Sequence, residues 1–307
     1  MNWFFRKVAD MTAPTATRRR LDRTASLTAQ VNAAQRAAES MRPPSRRLIE
    51  DPQSRHFVEH PALRAALAHP VTADAALRVF DRVWGGLHAH IALRVRYADD
   101  ACSAAVDAGL DQLVLLGAGF DTSCLRLADA AVTVFEVDAP ATQAHKRPVV
   151  ERLAPRAQTV WVSCDFEHDV LHRRLLEAGF DPVRPSLIVW LGVSMYLTSE
   201  AIDATLSDLQ KLCAPGSRLI VDYLRDGVVS ARTPWPGANR ITRLVARRGE
   251  PYRSDFTEDG LDALLARHGF RSTEHIGVAG LLRRYDPANR SRLATDDWLA
   301  VATAYRQ

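Results

Sequence analysis

Leu113-Val114-Leu115-Leu116-Gly117-Ala118-Gly119-Phe120-Asp121-Thr122 decides the fold. A short apolar run stops at a Gly-x-Gly turn, and an aspartate follows where a helix can start. Further on, Phe135-Glu136-Val137-Asp138 ends a second apolar run with two carboxylates. A strand, a glycine turn and an acid at the tip of the next strand form a pocket for an adenosine-bearing cofactor.

Working outward, apolar runs at 112–116, 132–137, 159–163, 186–191 and 217–223 alternate with helical stretches near 122–129, 140–153, 167–178 and 199–213. Continuous apolar strands alternating with helices predict a parallel sheet covered on both faces. Phe270 to Gly277 and Trp298 to Tyr305 supply two more strands, after a helix over Asp255 to Gly269. The expected fold class is α/β, a doubly wound, mostly parallel, seven-stranded Rossmann-like sheet. Upstream the pattern is helical: Ser26 to Met41 is Ala-rich and stops at Pro43-Pro44, and Asp74 to Asp107 is interrupted at Gly85-Gly86. The expected organisation is a flexible tail over 1–23, a helical N-terminal cap over 24–110, and a cofactor-binding domain over 111–307. Within that domain, residues 225–254, with the turn Pro234-Trp235-Pro236-Gly237, show no sheet pattern and read as a lid-like insertion.

The chain of 307 residues is long enough for one large core. Its net charge of +4 (40 basic minus 36 acidic residues) is too mild and dispersed for a nucleic-acid reader. Arg18-Arg19-Arg20, the densest basic run, reads as a solvated tail, and Met11 is a second candidate start. Cys102, Cys124, Cys164 and Cys213 lie far apart without a C-x-x-C pair, which argues for reduced thiols and against a metal site. No apolar run approaches the roughly 18 residues that span a membrane, and the N-terminus lacks a signal-peptide core, so a cytoplasmic location is expected. The pattern leaves the oligomeric state open.

A dinucleotide fingerprint wants a third small residue two positions after the second glycine, where the helix closes beneath a pyrophosphate. Here that position is Thr122, and Asp121 in the loop would repel a pyrophosphate. The same carboxylate suits S-adenosyl-L-methionine, which carries an ammonium group and no phosphate. Gly117 and Gly119 form its bed, and Asp121 is at once a helix-cap candidate. Asp138 and Glu136 alternate along one strand and share a side. Asp138, nearer the strand end, is the better ribose ligand, with an ion pair to Lys146 or Arg147 as the alternative. Cys164-Asp165-Phe166 ends the third strand, where Asp165 can accept from the adenine amino group and Phe166 can pack on the ring; Asp165 is otherwise a helix cap.

Leu116 to Thr122, Phe135 to Asp138, Cys164 to Phe166 and Leu191-Gly192-Val193-Ser194-Met195-Tyr196-Leu197-Thr198 together resemble the leucine carboxyl methyltransferase-like family, class I S-adenosylmethionine-dependent enzymes, in its actinobacterial branch. Arg46-Arg47-Leu48-Ile49-Glu50-Asp51-Pro52, Gly249-Glu250-Pro251 and His268-Gly269-Phe270 fit as well, so the likeness runs from about Ser26 to the end. It implies that Arg94, on the helix before the glycine loop, pairs with the methionine carboxylate, with Arg96 as alternate and Arg36 as a basic helper on the first helix. A guanidinium suits that task through bidentate pairing. Many relatives carry an acid at the position of Leu191, so this cofactor-lining residue removes one polar contact.

Methyl transfer is an in-line displacement, so the protein mainly aligns and desolvates the reactants. A carboxylate acceptor needs no base, whereas a hydroxyl needs a proton acceptor, typically histidine. Tyr196, just past the fourth strand, and His90 are the catalytic candidates. His88, His90 and His275 each read also as surface or packing histidines, Tyr196 as packing against the following helix, and Trp235 as a cover for an apolar acceptor. The expected function is an O-methyltransferase acting on a carboxylate or hydroxyl of a small molecule. An NAD-dependent oxidoreductase is disfavoured by Thr122 and Asp121. A non-catalytic cofactor-binding protein of the same fold is kept open by Leu191.

Overall fold

In the computed structural model, which describes residues 27–127, 131–155, 157–166 and 168–307, the chain is helical up to Gln112. Helix α1 spans Leu27–Ser40, and a 3-10 turn at Pro52–Phe57 follows, its first turn capped by the Asp51 carboxylate accepting from Ser54 N. Helices α2 (Pro61–Ala66) and α3 (Pro70–Trp84) both begin at proline, whose fixed φ suits a first helical turn. Gly85, left-handed at φ 54°, ends α3, and α4 runs over Leu87–Asp107. The sequence-predicted tail, with Arg18-Arg19-Arg20 and Met11, lies outside the described residues.

From Gln112 the elements alternate: β1 (Gln112–Leu116), α5 (Ser123–Arg126), β2 (Thr133–Asp138), α6 (Pro140–Leu153), β3 (Gln158–Ser163), α7 (Leu171–Glu177), β4 (Leu187–Trp190), α8 (Ser199–Leu212) and β5 (Arg218–Leu224). Then come α9 (Pro236–Arg247), α10 (Glu258–Arg267), β6 (Phe270–Gly277), α11 (Val278–Tyr285) and β7 (Leu299–Arg306). The sheet has seven strands in the order β3-β2-β1-β4-β5-β7-β6. The pairs β3–β2, β2–β1, β1–β4 and β4–β5 are parallel, and β7 runs antiparallel between β5 and β6. The doubly wound, mostly parallel sheet expected from the sequence is present. Its order reverses between β1 and β4, where open sheets of this kind bind ligands beyond the strand ends.

Alternate residues of the inner strands feed two separate cores. Leu113 and Leu115 of β1, Val134 of β2, Val189 of β4 and Ile220 of β5 pack with Ala33 and Ala37 of α1 and Ala89, Ala92 and Leu93 of α4. Val114, Leu116, Phe135, Ile188 and Leu219 pack on the opposite face with Leu175 of α7, Leu206 and Leu209 of α8, and Leu265 of α10. Residues of the 24–110 segment thus share a buried core with the sheet. The 225–254 segment contains α9, whose Ala238 and Ile241 are buried. Its Gly237 lies so near the α3 end that an added Cβ would sit 2.5 Å from Gly85 N.

Three helices differ from the sequence expectation. Helix α7 starts at Leu171 and not near 167, because the Asp165 carbonyl accepts from His168 N and Asp169 N in a separate turn. Helices α9 and α11 answer to no helical pattern read from the sequence.

Candidate functional site

The glycine loop leaves β1 with Gly117 at φ +64° and Gly119 at φ +46°, a region that only glycine enters without strain. A side chain at 117 would also collide with Val193 in the loop after β4. Ala118 N donates to Val137 O at 3.0 Å, and Gly119 N donates to Asp138 Oδ2 at 2.6 Å. Asp138 Oδ1 accepts from Ala139 N at 2.7 Å, so one carboxylate clamps the loop to the tip of β2. Burial pushes the Asp138 carboxyl above its ordinary value, against the hydrogen bonds that favour its charge. The ion pair that the sequence allowed Asp138 goes elsewhere: Lys146 meets Glu136 at 2.5 Å, both buried, and Arg147 meets Glu151 at 2.7 Å.

Past the glycines, Asp121 Oδ1 accepts from Ser123 N at 2.6 Å. Burial works against its charge, yet Arg126, Lys146 and Arg36 hold the carboxyl down to about 2. Arg36 of α1 donates to Phe120 O at 2.5 Å and to Asp51 Oδ2 at 2.8 Å, so the first helix grips the loop backbone directly. Ala29 of the same helix lies over Gly119.

Arg94 lies on the sheet-facing side of α4 and donates through Nη1 to Asp222 Oδ2 on β5, with Nη2 against Gly192. Asp222 is fully buried; its Oδ1 accepts from Gly192 N at 2.7 Å and its Oδ2 also meets His90 Nε2 at 3.1 Å. Burial opposes the charge on Asp222, but Arg94 and His90 hold its carboxyl below the ordinary range. His90 is itself fully buried, which disfavours its protonation, so it braces Asp222 from behind with no exposed surface of its own. Two buried nitrogens here have no hydrogen-bond partner, Arg94 Nε and His90 Nδ1. Arg96, the alternate to Arg94, is exposed and pairs with Asp100 at 3.2 Å on its own helix.

On the other side of Gly192, Leu191 is half-buried against the core, and a 3-10 turn over Ser194–Tyr196 carries Tyr196. The Tyr196 ring lies 5.4 Å from that of Tyr252, and burial pushes both hydroxyls above their ordinary value. Glu250, two residues earlier, accepts from Thr28 Oγ1 at 2.9 Å, joining the first helix to the segment after α9. At the end of β3, Asp165 is half-buried at the head of its turn, and Phe166 packs on the core of the second face. His88 and His275 are engaged in the interior: His88 with Glu39 at 2.9 Å, His275 with Asp262 at 2.7 Å. Trp235 is half-buried against the first core.

Sequence reasoning missed Asp222, Tyr252, and Arg126 with its partner Asp99. Asp222 carries a readable signal, since an acid within an apolar inner strand requires a buried partner. All four cysteines are buried and unpaired. Among the described residues no helix is long and apolar enough to cross a membrane, and no three His, Cys, Asp or Glu side chains gather to hold a metal ion.

Residues 29–210 match the leucine carboxyl methyltransferase family. A Parafrankia protein, named as a candidate S-adenosyl-L-methionine-dependent methyltransferase, is 36% identical over 211 residues, covering 66% of this chain and 65% of that protein. A Bacillus subtilis protein of the same description is 31% identical over 187 residues, or 60% of this chain and 61% of its own length. The chain thus spans under two thirds of these relatives. Among solved structures, a DUF574 family protein from Streptomyces avermitilis aligns over 94% of this chain and 100% of its own, with TM-score 0.60 and 17% identity. A candidate methyltransferase from Thermobifida fusca aligns over 89% of this chain and 94% of its own, with TM-score 0.56 and 18% identity. At these identities the structural likeness concerns the fold.

Proposed function

Because the chain belongs to the leucine carboxyl methyltransferase family, we propose that it is an S-adenosyl-L-methionine-dependent O-methyltransferase acting on a small-molecule carboxylate or hydroxyl. The observation that carries this reading is the pairing of a glycine turn with charges of both signs. Asp138 and Asp121 flank Gly119, and Arg94 stands across the loop with its Nε unpartnered though buried. That donor set fits a zwitterionic amino-acid tail next to a ribose and offers nothing to a pyrophosphate. In this reading Asp138 takes the ribose hydroxyls, Asp165 and Phe166 the adenine, Arg94 the carboxylate and Asp121 the ammonium. Gly117, Gly119 and Leu191 form the walls, and Arg36 steadies the loop. Bound there, the cofactor supplies a methyl group on a cationic sulfur, open to in-line attack.

The acceptor side favours a carboxylate. Tyr196 and Tyr252 have hydroxyls that resist ionisation, so they act as hydrogen-bond donors that orient an anion and not as bases. His90 reaches the site only through Asp222, and His88 and His275 are held by Glu39 and Asp262. An acceptor that is already ionised at neutral pH requires no proton transfer. The helical segment before the sheet and the 225–254 segment exclude water around it.

Isothermal titration of the purified chain with S-adenosylmethionine, S-adenosylhomocysteine and NAD tests this reading. Binding of the first two and not of NAD is expected, with methyl transfer to members of a carboxylic-acid panel. NAD binding alone would replace it with the oxidoreductase reading. Cofactor binding without transfer to any carboxylate or hydroxyl acceptor would leave a binding protein of the same fold.

A further inference from the structure

We propose that Arg126 is a positioning residue of the cofactor site, holding Asp121 as a uniquely unmatched carboxylate beside the glycine loop for the ammonium group of the cofactor. The inference rests on the proposed function and adds a residue that contacts neither cofactor nor acceptor.

Arg126 ends the short helix α5, and its guanidinium gathers three parts of the chain. Nε and Nη2 bind the Asp99 carboxylate of α4 at 3.0 and 2.7 Å. Nη1 donates to Thr122 Oγ1, and Nη2 also donates to Ser123 Oγ at 3.0 Å. Asp51, before the 3-10 turn, lies 3.5 Å from Nη1 and is bound at 2.8 Å by Arg36. Five charged groups therefore meet beneath the loop: Asp51, Asp99 and Asp121 against Arg36 and Arg126. Lys146, which also favours the charge on Asp121, is paired directly with Glu136, so that pair leaves the balance of the group unchanged.

The two cations are committed to two of the three acids. Asp51 is matched by Arg36 and Asp99 by the bidentate fork of Arg126, whereas Asp121 has only a 3.9 Å approach to Arg126. One negative charge is left over, and it lies next to Gly119. Arg126 makes that charge usable in two ways. Its bonds to Thr122 and Ser123 fix the turn whose Ser123 N–H orients Asp121. Its charge also offsets the repulsion that Asp51, Asp99 and Glu136 exert on a further carboxylate. Lysine has no planar fork and cannot make these contacts together.

The test is titration of the full chain with S-adenosylhomocysteine and with the analogue in which hydrogen replaces the amino group. The wild type is expected to prefer the amino compound by about tenfold or more, the scale of a hydrogen bond between charged partners. Arg126→Gln should abolish that preference while leaving affinity for the deaminated analogue within about twofold, since only the amine-directed contact is lost. Asp121→Asn should do the same, and the double variant should add nothing further. If Arg126→Gln does not fold, Arg126→Gln combined with Asp99→Asn removes the stranded acid and takes its place, and Asp121→Asn decides independently. Equal weakening of both ligands by Arg126→Gln would reduce Arg126 to a structural residue and overturn the proposal, as would an Asp121→Asn chain that keeps the preference. A wild type that binds neither ligand overturns the methyltransferase reading itself.

Discussion

A carboxylate on an inner strand costs stability unless its charge is met, and Asp222 is met from three directions by Arg94, His90 and Gly192 N. Asp222→Ala strands a largely buried guanidinium and is expected to cost roughly 3–5 kcal/mol in urea unfolding; a loss below about 1 kcal/mol would mean that water or a rotamer change takes over the role. Asp121 gives a pH signature. Its carboxyl is held below the ordinary 3.8, at about 2, so the stabilisation it contributes is complete at neutral pH and is lost as pH falls from near 3.8 through about 2. The stability difference between wild type and Asp121→Asn should shrink across that window in melts at stepped pH, and a constant difference would contradict it. At this scale the legible residues were those with local logic. Gly117, Gly119 and Asp138 stand in a strand, turn and strand-end pattern that short spacing reveals. Asp222 shows only that it needs a buried partner; that the partner is Arg94 was hidden, because the two lie 128 positions apart.

Elements were legible where one periodicity ruled. The apolar run at 112–116 is β1 and the stretch at 140–153 is α6, because a strand buried on both faces and a proline-started helix each leave a clear local pattern. The antiparallel direction of β7 left no such trace, since a strand buried on both faces reads alike either way. The fit of α9 onto α3 was also invisible, because it depends on what a glycine lacks. Gly237 is helical, so its φ does not demand glycine; the demand comes from Gly85 N and the carbonyl carbon of Trp84, 2.5 and 2.7 Å from an added Cβ. Gly237→Ala should therefore push α9 outward and cost about 1–3 kcal/mol, the usual range for overpacking. Faster proteolysis between residues 225 and 250 would accompany it. A variant as stable and protease-resistant as wild type would show that the two helices slide apart without loss.

For the whole molecule, the question is whether the 24–110 segment opens apart from the sheet. Its helices differ in what they bury. Helix α4 covers Leu113, Leu115 and Val189 with Ala89, Ala92 and Leu93, whereas α2 has no buried residue. Releasing α4 would expose one face of the sheet, and each large aliphatic side chain uncovered costs roughly 1.5–3 kcal/mol. It would also strip Arg94 from Asp222 and Asp99 from Arg126. Such an opening costs nearly as much as global unfolding, so native-state hydrogen exchange should show α4 amides protected to the same degree as those of β1 and β4. The α2 amides should exchange far faster, and addition of S-adenosylhomocysteine should raise protection in α1 and the glycine loop, which Arg36 ties together. Exchange in α4 as fast as in α2 would mean that the segment is a detachable cap; protection matched to the sheet would make it one layer of a single folding unit, with the cofactor loop held between the layers.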